Sequence, residues 1–215
     1  MEISNTEVLR YLGYRGGEAD KRVCALIKEI SVMFAENTAP KSVYGVWDCH
    51  VDLFTTTLAY MSINSAKLAE HLAGCRRVAL LAITLGPEAD TLIRRYSVQD
   101  MEKAVIAQAL CAVMIEAYCN KIKNELTQRF KIDGLYPTAP FSPGYGDFNI
   151  AHQKDILNLL NCDRRIGLTL TDGYMLVPSK SITAVIGFTK EKDRACTGEN
   201  CGRCDAGHCG FREVK

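Results

Sequence analysis

Four cysteines near the C-terminus are the residues whose type and spacing most directly suggest chemistry. Cys196, Cys201, Cys204 and Cys209 lie in a glycine-rich, charged segment with almost no apolar side chains. Such a segment cannot order itself by burying apolar surface, but four thiolates can order it around a metal ion. Zinc would bind the four thiolates as a closed tetrahedral site. A 4Fe–4S cluster would use the same ligands and could relay electrons.

The spacing of these cysteines does not decide between the two metals. The intervals of four, two and four residues form neither a pair of CxxC motifs nor a standard ferredoxin pattern, and His208 could replace one thiolate. Disulfides, or a tail that binds no metal, are also compatible with four thiols. The N-terminal segment has an early acid and no apolar run typical of a signal peptide. We therefore expect a cytoplasmic protein, in which stable disulfides are disfavoured.

The six cysteines outside the tail are scattered, mostly among apolar residues. A buried free cysteine behaves as a small hydrophobic side chain. We expect this role for the following residues: Cys24, Cys49, Cys75, Cys111, Cys119 and Cys162.

The overall composition is typical of a globular chain. The 215 residues are 47% apolar and 24% charged, with a net charge of +1. This length can bury a core as one domain, and the composition indicates neither a disordered nor a membrane-spanning chain. The near-neutral charge argues against a nucleic-acid partner and against binding to an anionic membrane surface.

A loop rich in proline and glycine is the most distinctive internal motif. It consists of Ser142, Pro143, Gly144, Tyr145 and Gly146, followed by an aspartate. Proline fixes one backbone angle, and the glycines let the backbone pass close to a ligand, while tyrosine offers a ring and a hydroxyl. The loop therefore suits binding of a small molecule through backbone groups. A tight connection between two helices is the simpler interpretation.

Glu116 is a second candidate, because it lies in a long helical pattern without a basic residue four positions away on either side. An acid beside an apolar stripe could bind a cationic ligand group. A place on the solvated edge of the helix would explain it equally simply.

The elements that must position these residues are mixed helices and strands without regular βαβ alternation, which favours an α+β fold. Residue patterns predict helices at 20–36, 65–73, 87–96, 100–130 and 150–160, and strands at 42–47, 53–61, 78–84, 166–170, 174–177 and 181–188. The 78–84 run is continuously apolar, so we expect a strand buried on both faces.

Five segments, taken in order, support a family resemblance. They are residues 8–14 (VLRYLGY), 84–86 (TLG), 109–117 with its Ile115-Glu116-Ala117, the Pro143-Gly144-Tyr145 loop, and 170–181 with its Leu-Thr-Asp, Met, Pro and Ser pattern. Together they resemble the activation domain of cobalamin-dependent methionine synthase and its small stand-alone relatives. The resemblance covers about residues 1–188.

The resemblance implies a bent antiparallel sheet with flanking helices over residues 1–189, followed by a Cys-rich metal-binding tail at 190–215. It also implies that S-adenosylmethionine binds in a shallow groove, largely through the backbone of the loop. Glu116 falls where family members have a ligand-contacting acid. Family members usually carry Arg at the position of Pro140, which has no donor for the ligand carboxylate; Arg129 or Lys131 could substitute.

The implied function is the reactivation of a methionine synthase or related corrinoid protein. S-adenosylmethionine would be presented for reductive methylation of cobalamin on a partner protein, with an electron from a flavodoxin-type donor. No acid–base dyad or nucleophilic triad is evident, so we assign no catalytic residue to this methyltransferase-activating component. A different function would be that of an iron–sulfur activator of corrinoid methyltransferases that does not need S-adenosylmethionine. A third would be that of a non-catalytic S-adenosylmethionine-binding or sensor module.

Overall fold

The computed structural model describes residues 4–14, 19–131 and 133–190. The four tail cysteines (Cys196, Cys201, Cys204 and Cys209) lie outside these residues, as does most of the predicted tail. The described part is a mixed helix and antiparallel-sheet fold, so the predicted α+β class is confirmed.

Within the described ranges the structure contains seven helices and eight strands. The helices are α1 Asn5–Tyr11, α2 Lys21–Asn37, α3 Ala66–His71, α4 Pro87–Gln99, α5 Met101–Lys131, α6 His152–Leu160 and α7 Cys162–Ile166. The strands are β1 Lys41–Val51, β2 Thr55–Leu58, β3 Met61–Asn64, β4 Arg77–Thr84, β5 Tyr136–Pro137, β6 Thr169–Leu170, β7 Leu176–Val177 and β8 Ser181–Thr189.

The main sheet has the order β3-β2-β1-β4-β8-β5, and every neighbouring pair is antiparallel. In the register of the three central strands, Leu81 of β4 lies between Tyr44 of β1 and Ala184 of β8. Strands β6 and β7 form a separate small hairpin.

Strand β4 is the centre of the core, because its side chains are buried on both faces. Alternate residues of a strand point to opposite faces of the sheet. Leu81 and the β4 residues two positions before and after it face a cluster that contains α1, α2, α4 and α5. Leu80 and the β4 residues two positions before and after it face a cluster that contains α3, α6 and α7. The continuous apolar run at 78–84 predicted this double burial, and the prediction is confirmed.

Helix α5 is the longest element of the first cluster. Among the described residues, Met101–Lys131 is the helix with the length and apolar content to cross a membrane. Its apolar side chains, however, belong to the core; Leu110, Met114 and Leu126 are almost completely buried there. Core packing therefore accounts for the apolar character of this helix.

The predicted starts of two helices agree with the structure, whereas two of the predicted strands do not. The helix predicted from residue 20 begins at Lys21, with Asp20 as its N-cap, and the helix predicted from residue 87 begins at Pro87. The single strand predicted at 53–61 is wrong, because the chain reverses between β2 and β3 with Ala59 at a φ of 48°. Alanine is not a usual turn residue at positive φ, so no composition signal marked this hairpin. The strand predicted at 166–170 shortens to β6, and α7 was not predicted.

The scattered cysteines largely follow the expectation of a core role. Cys75, Cys111, Cys119 and Cys162 are buried, whereas Cys24 and Cys49 are half-buried. Burial raises the pKa of the Cys111 and Cys162 thiols to about 12. These two thiols therefore stay protonated and unreactive near neutral pH.

Truncating Leu110 to Ala should lower the free energy of unfolding by about 2–5 kcal/mol, because it leaves a cavity beside the sheet. Val105→Ala is the matched control: the same helix carries Val105 with its side chain 52% exposed, and a change of no more than about 0.5 kcal/mol is expected there. Chemical denaturation followed by circular dichroism measures both. Equal effects of the two substitutions would contradict the assignment of this α5 face to the core.

Candidate functional site

The loop at residues 142–147 begins where the chain leaves the edge of the main sheet. Just before it, the Phe141 amide donates to the Val185 carbonyl (2.9 Å), and the Val185 amide donates back to Phe141 (2.8 Å). The Phe141 ring packs against His71 of α3, with ring centroids 5.1 Å apart, and against Phe148, 6.3 Å apart. The start of the loop is therefore anchored to β8 and to the α3 side of the sheet.

Hydrogen bonds within the loop define a compact turn. The Tyr145 amide donates to the Ser142 carbonyl (3.2 Å), and the Gly144 amide donates to the Phe148 carbonyl (2.7 Å). Gly144 and Gly146 have φ angles of 95° and 59°, in the region that favours glycine. The turn therefore requires glycine at both positions.

The loop presents backbone and ring surface to the outside. Pro143 is buried, whereas the Tyr145 side chain is 56% exposed. Among the described residues, the Gly146 amide and the Gly144 carbonyl have no hydrogen-bond partner. Backbone donors and acceptors, these two among them, are thus available to a ligand beside an exposed aromatic ring.

Asp147 ties the end of the loop to the start of α3. Its carboxylate accepts hydrogen bonds from the Ser65 hydroxyl and from the amides of Ala66 (2.8 Å) and Lys67 (3.1 Å). These hydrogen bonds lower the pKa of the Asp147 carboxyl, and the bond from the Ser65 hydroxyl has the largest effect. The carboxylate is therefore ionised at neutral pH. Sequence reasoning missed this role, since Asp147 and Ser65 are 82 residues apart and no local pattern links them.

Glu116 has a partner from the start of the chain. It is exposed on α5, and the hydroxyl of Tyr11 on α1 donates a hydrogen bond to its carboxylate. Burial, followed by the hydrogen bond to Glu116, raises the pKa of Tyr11 to about 12. Tyr11 therefore stays protonated and orients the Glu116 carboxylate at neutral pH.

The position of Tyr11 depends on how α1 ends. The Gly13 amide donates to the Arg10 carbonyl (3.0 Å), and the Tyr14 amide donates to the Leu9 carbonyl (3.0 Å). This pair of bonds is the Schellman motif, which places a left-handed residue just after the helix. Gly13, with a φ of 88°, meets that requirement. The Leu-Gly-Tyr portion of the 8–14 motif is thus explained by helix termination.

Glu116 and the loop are attached to different sides of the sheet. α5 packs in the cluster around Leu81, whereas Phe141 and Phe148 pack in the cluster around Leu80. Within the described part of the chain, the hydrogen bond of Glu116 goes to Tyr11 and none joins it to the loop. The structure thus gathers residues 142–146 on one loop and leaves Glu116 outside direct contact with them.

The helix that carries Glu116 and the chain just before the loop both contact β8. Near the end of α5, the Phe130 ring contacts Phe188, with centroids 4.2 Å apart. Glu116 precedes Phe130 by fourteen residues, or about 21 Å of helix. On the other element, Phe141 pairs with Val185 of the same strand immediately before the loop begins.

The 170–181 pattern has mainly structural contacts. The Ser181 hydroxyl donates to the Pro178 carbonyl (2.7 Å) and lies within hydrogen-bond distance of the Thr84 hydroxyl (2.8 Å). Asp90 of α4 accepts from the Ser179 amide (2.7 Å). These bonds join the start of β8 to the end of β4 and to α4. The Leu-Thr-Asp turn lines a separate surface cavity of about 400 Å³, together with α6 residues.

In the described ranges, the structure has no group of three or more His, Cys, Asp or Glu side chains placed to hold a metal ion. The predicted metal ligands belong to the tail outside these ranges.

Comparison with known proteins places the chain in a family. A sequence model described as "Vitamin B12 dependent methionine synthase, activation domain" matches residues 68–198, more than half of the chain. The chain belongs to this family. Among curated proteins, no match was found. The match to the activation-domain family includes Glu116 and the 142–147 loop, whereas α1 with Tyr11 precedes it.

A solved structure supports the same fold. The chain is similar to the structure described as "Crystal Structure of the MetH Reactivation Domain bound to AdoHcy", with a TM-score of 0.65. The similarity covers 86% of this chain and 73% of the other, at 15% sequence identity. At this identity the comparison establishes the activation-domain fold and not the ligand.

Replacing Glu116 by Gln should lower the pKa of Tyr11 from about 12 towards its ordinary value of about 10, because it removes the negative charge that disfavours tyrosinate. In the wild type, the raised pKa stabilises the fold below pH 10, and this contribution is lost as the pH rises towards about 12. NMR titration of ring-labelled tyrosine measures the pKa. Glu102→Gln, which removes the α5 carboxylate paired with Arg22, is the control. It should leave the pKa of Tyr11 unchanged. An unaltered Tyr11 titration in Glu116→Gln would contradict the hydrogen bond.

Proposed function

We propose that this activation-domain protein binds S-adenosylmethionine at the 142–147 loop and Glu116 and presents it to a cobalamin-binding partner. The observation that carries the proposal is the loop itself. Its two glycines have positive φ angles, the Gly146 amide and the Gly144 carbonyl are open, and both of its ends are anchored. The similar MetH domain was solved with AdoHcy, which is S-adenosylmethionine without the transferred methyl group.

The loop residues would have distinct roles in ligand binding. The Gly146 amide and the Gly144 carbonyl would bond polar groups of the ligand, and the exposed Tyr145 ring would pack on it. Ser142 and Pro143 stabilise the turn. The Ser142 carbonyl accepts a hydrogen bond from the Tyr145 amide, and Pro143 is buried. A rigid backbone site of this kind loses little conformational freedom on binding.

Glu116 would supply the charge complementarity. S-adenosylmethionine carries a sulfonium and an ammonium group, and an exposed carboxylate fixed by Tyr11 can attract either cation. The protein would then act by orientation, which is the main contribution of a protein when cofactors carry the reaction.

The reaction served is reductive methylation of cobalamin on the partner. A flavodoxin-type donor would supply one electron to cobalt(II), the methyl group would pass from the sulfonium to the reduced cobalt, and S-adenosylhomocysteine would remain. The chain would be the methyl-donor component of reactivation, and the cobalamin would stay on the partner protein.

Calorimetry with S-adenosylmethionine tests the binding site. Tyr145→Ala should weaken binding roughly tenfold, a loss of about 1.4 kcal/mol, because the ring contact is removed while the turn's backbone is kept. Tyr60→Ala is the control, since Tyr60 is a 65% exposed tyrosine on the β2–β3 turn. A wild-type protein with no measurable affinity would refute the methyl-donor role, and equal effects of the two substitutions would refute the assignment to the loop.

A second candidate function rests on the tail. We propose that Cys196, Cys201, Cys204 and Cys209 hold one metal centre in residues 190–215, either zinc or a 4Fe–4S cluster. The four thiolates satisfy the ligand requirement of each, and the polar segment around them has few apolar residues to order it otherwise. An iron–sulfur centre would favour a reductive activator that supplies the electron itself, whereas zinc would favour a structural role.

Anaerobic purification followed by metal analysis and an absorption spectrum distinguishes these roles. We expect one zinc ion, or four iron atoms with a brown chromophore, per chain. Cys201→Ser should abolish most of the metal content because it removes a ligand. Cys24→Ser, at a half-buried cysteine of α2, should retain all of it. Absence of both metals from the wild-type protein would eliminate the metal-binding tail.

A further inference from the structure

Two opposite charges flank the Tyr11 ring. The Arg10 guanidinium lies over the ring face, 5.2 Å from the centroid. The hydroxyl at the end of the ring donates to the Glu116 carboxylate. The ring is 43% exposed and Glu116 is exposed as well. A cation and an anion thus contact the same partly exposed ring, one at its face and the other at its hydroxyl.

We propose that Arg10 and Glu116 form a clamp for the zwitterionic α-amino-acid end of the ligand, in which Arg10 binds the carboxylate and Glu116 binds the ammonium. This inference rests on the proposed function and adds a specificity residue from α1, outside the range matched by the family. It concerns only the amino-acid end of the ligand.

The ion pair between Arg10 and Glu7 is one that a ligand could replace. The two side chains lie 2.8 Å apart, and both are nearly half exposed. Exposed pairs of this kind contribute little to stability, so exchange of one carboxylate for another costs little. The guanidinium offers a planar fork that matches a carboxylate with two parallel hydrogen bonds.

Arg129 and Lys131, the cations further along α5, are poorly placed for the ligand carboxylate, and Pro140 has no side-chain donor. Both basic residues are on the same helix as Glu116, but thirteen or more residues further on, or about 20 Å along the axis. The Arg129 guanidinium lies over the Phe130 ring at 5.9 Å, at the far end of α5. These two residues therefore cannot close around an amino acid held by Glu116.

Tyr11 makes the pair into a site for a zwitterion. Since its hydroxyl stays protonated at neutral pH, it adds no charge between the cation and the anion. It also holds the carboxylate of Glu116 in one orientation through the hydrogen bond. Gly13 ends α1 just beyond it, with the left-handed φ that this termination needs.

Two ligands that differ only in the carboxylate separate this role from general effects. Calorimetry compares S-adenosylmethionine with its decarboxylated form. Arg10→Gln should weaken binding of the first roughly ten- to a hundredfold, because a charge-assisted bond is lost, and leave the second unchanged. Arg10→Lys should restore part of the affinity, since it keeps the charge without the fork. Glu116→Gln should weaken both ligands.

Arg22→Gln is the matched control, because Arg22 is also an exposed arginine in an ion pair, with Glu102 at 2.6 Å, and it should leave both affinities unchanged. If Arg10→Gln binds S-adenosylmethionine as tightly as the wild type, or loses affinity for both ligands equally, the clamp is refuted while the proposed function stands. A wild-type protein that binds neither ligand refutes the proposed function and the clamp with it.

Discussion

Burial of β4 on both faces is the constraint on which the rest of the structure depends. Each apolar side chain of this strand leaves water only if a layer of helices covers its own face, and burial of this kind is the main favourable term in folding. Residues from Val78 to Ile83 are inaccessible to solvent. The long helix α5 meets this requirement on one face, and α3, α6 and α7 meet it on the other.

The two layers also explain the arrangement of the candidate site. The loop is held on one side of the sheet edge by Phe141 and Asp147, and Glu116 is held on the other side by Tyr11. Both attachments leave functional groups exposed, the Glu116 carboxylate on one side and the Tyr145 ring on the other.

Local patterns predicted much of this arrangement. The period of apolar residues identified α5, and the glycines around Tyr145 identified the loop, because both are consequences of backbone geometry over a few residues. The hairpin at Ala59 was missed, since its exposed two-residue turn has an ordinary residue at positive φ where glycine or asparagine would have given a signal. The Asp147–Ser65 bond was also missed, because side-chain partners distant in sequence leave no local signal.

The sequence by itself determined the α+β class, the doubly buried strand, the glycine-containing loop and the family resemblance that the family match bears out. These properties depend on residue type and short-range spacing, which can be read along the chain. Only the tertiary structure decided that Tyr11, from the first helix, bonds Glu116 in the middle of α5, 105 residues away. Packing brings such pairs together, and it places the Arg10 guanidinium over the ring of the tyrosine that bonds this acid.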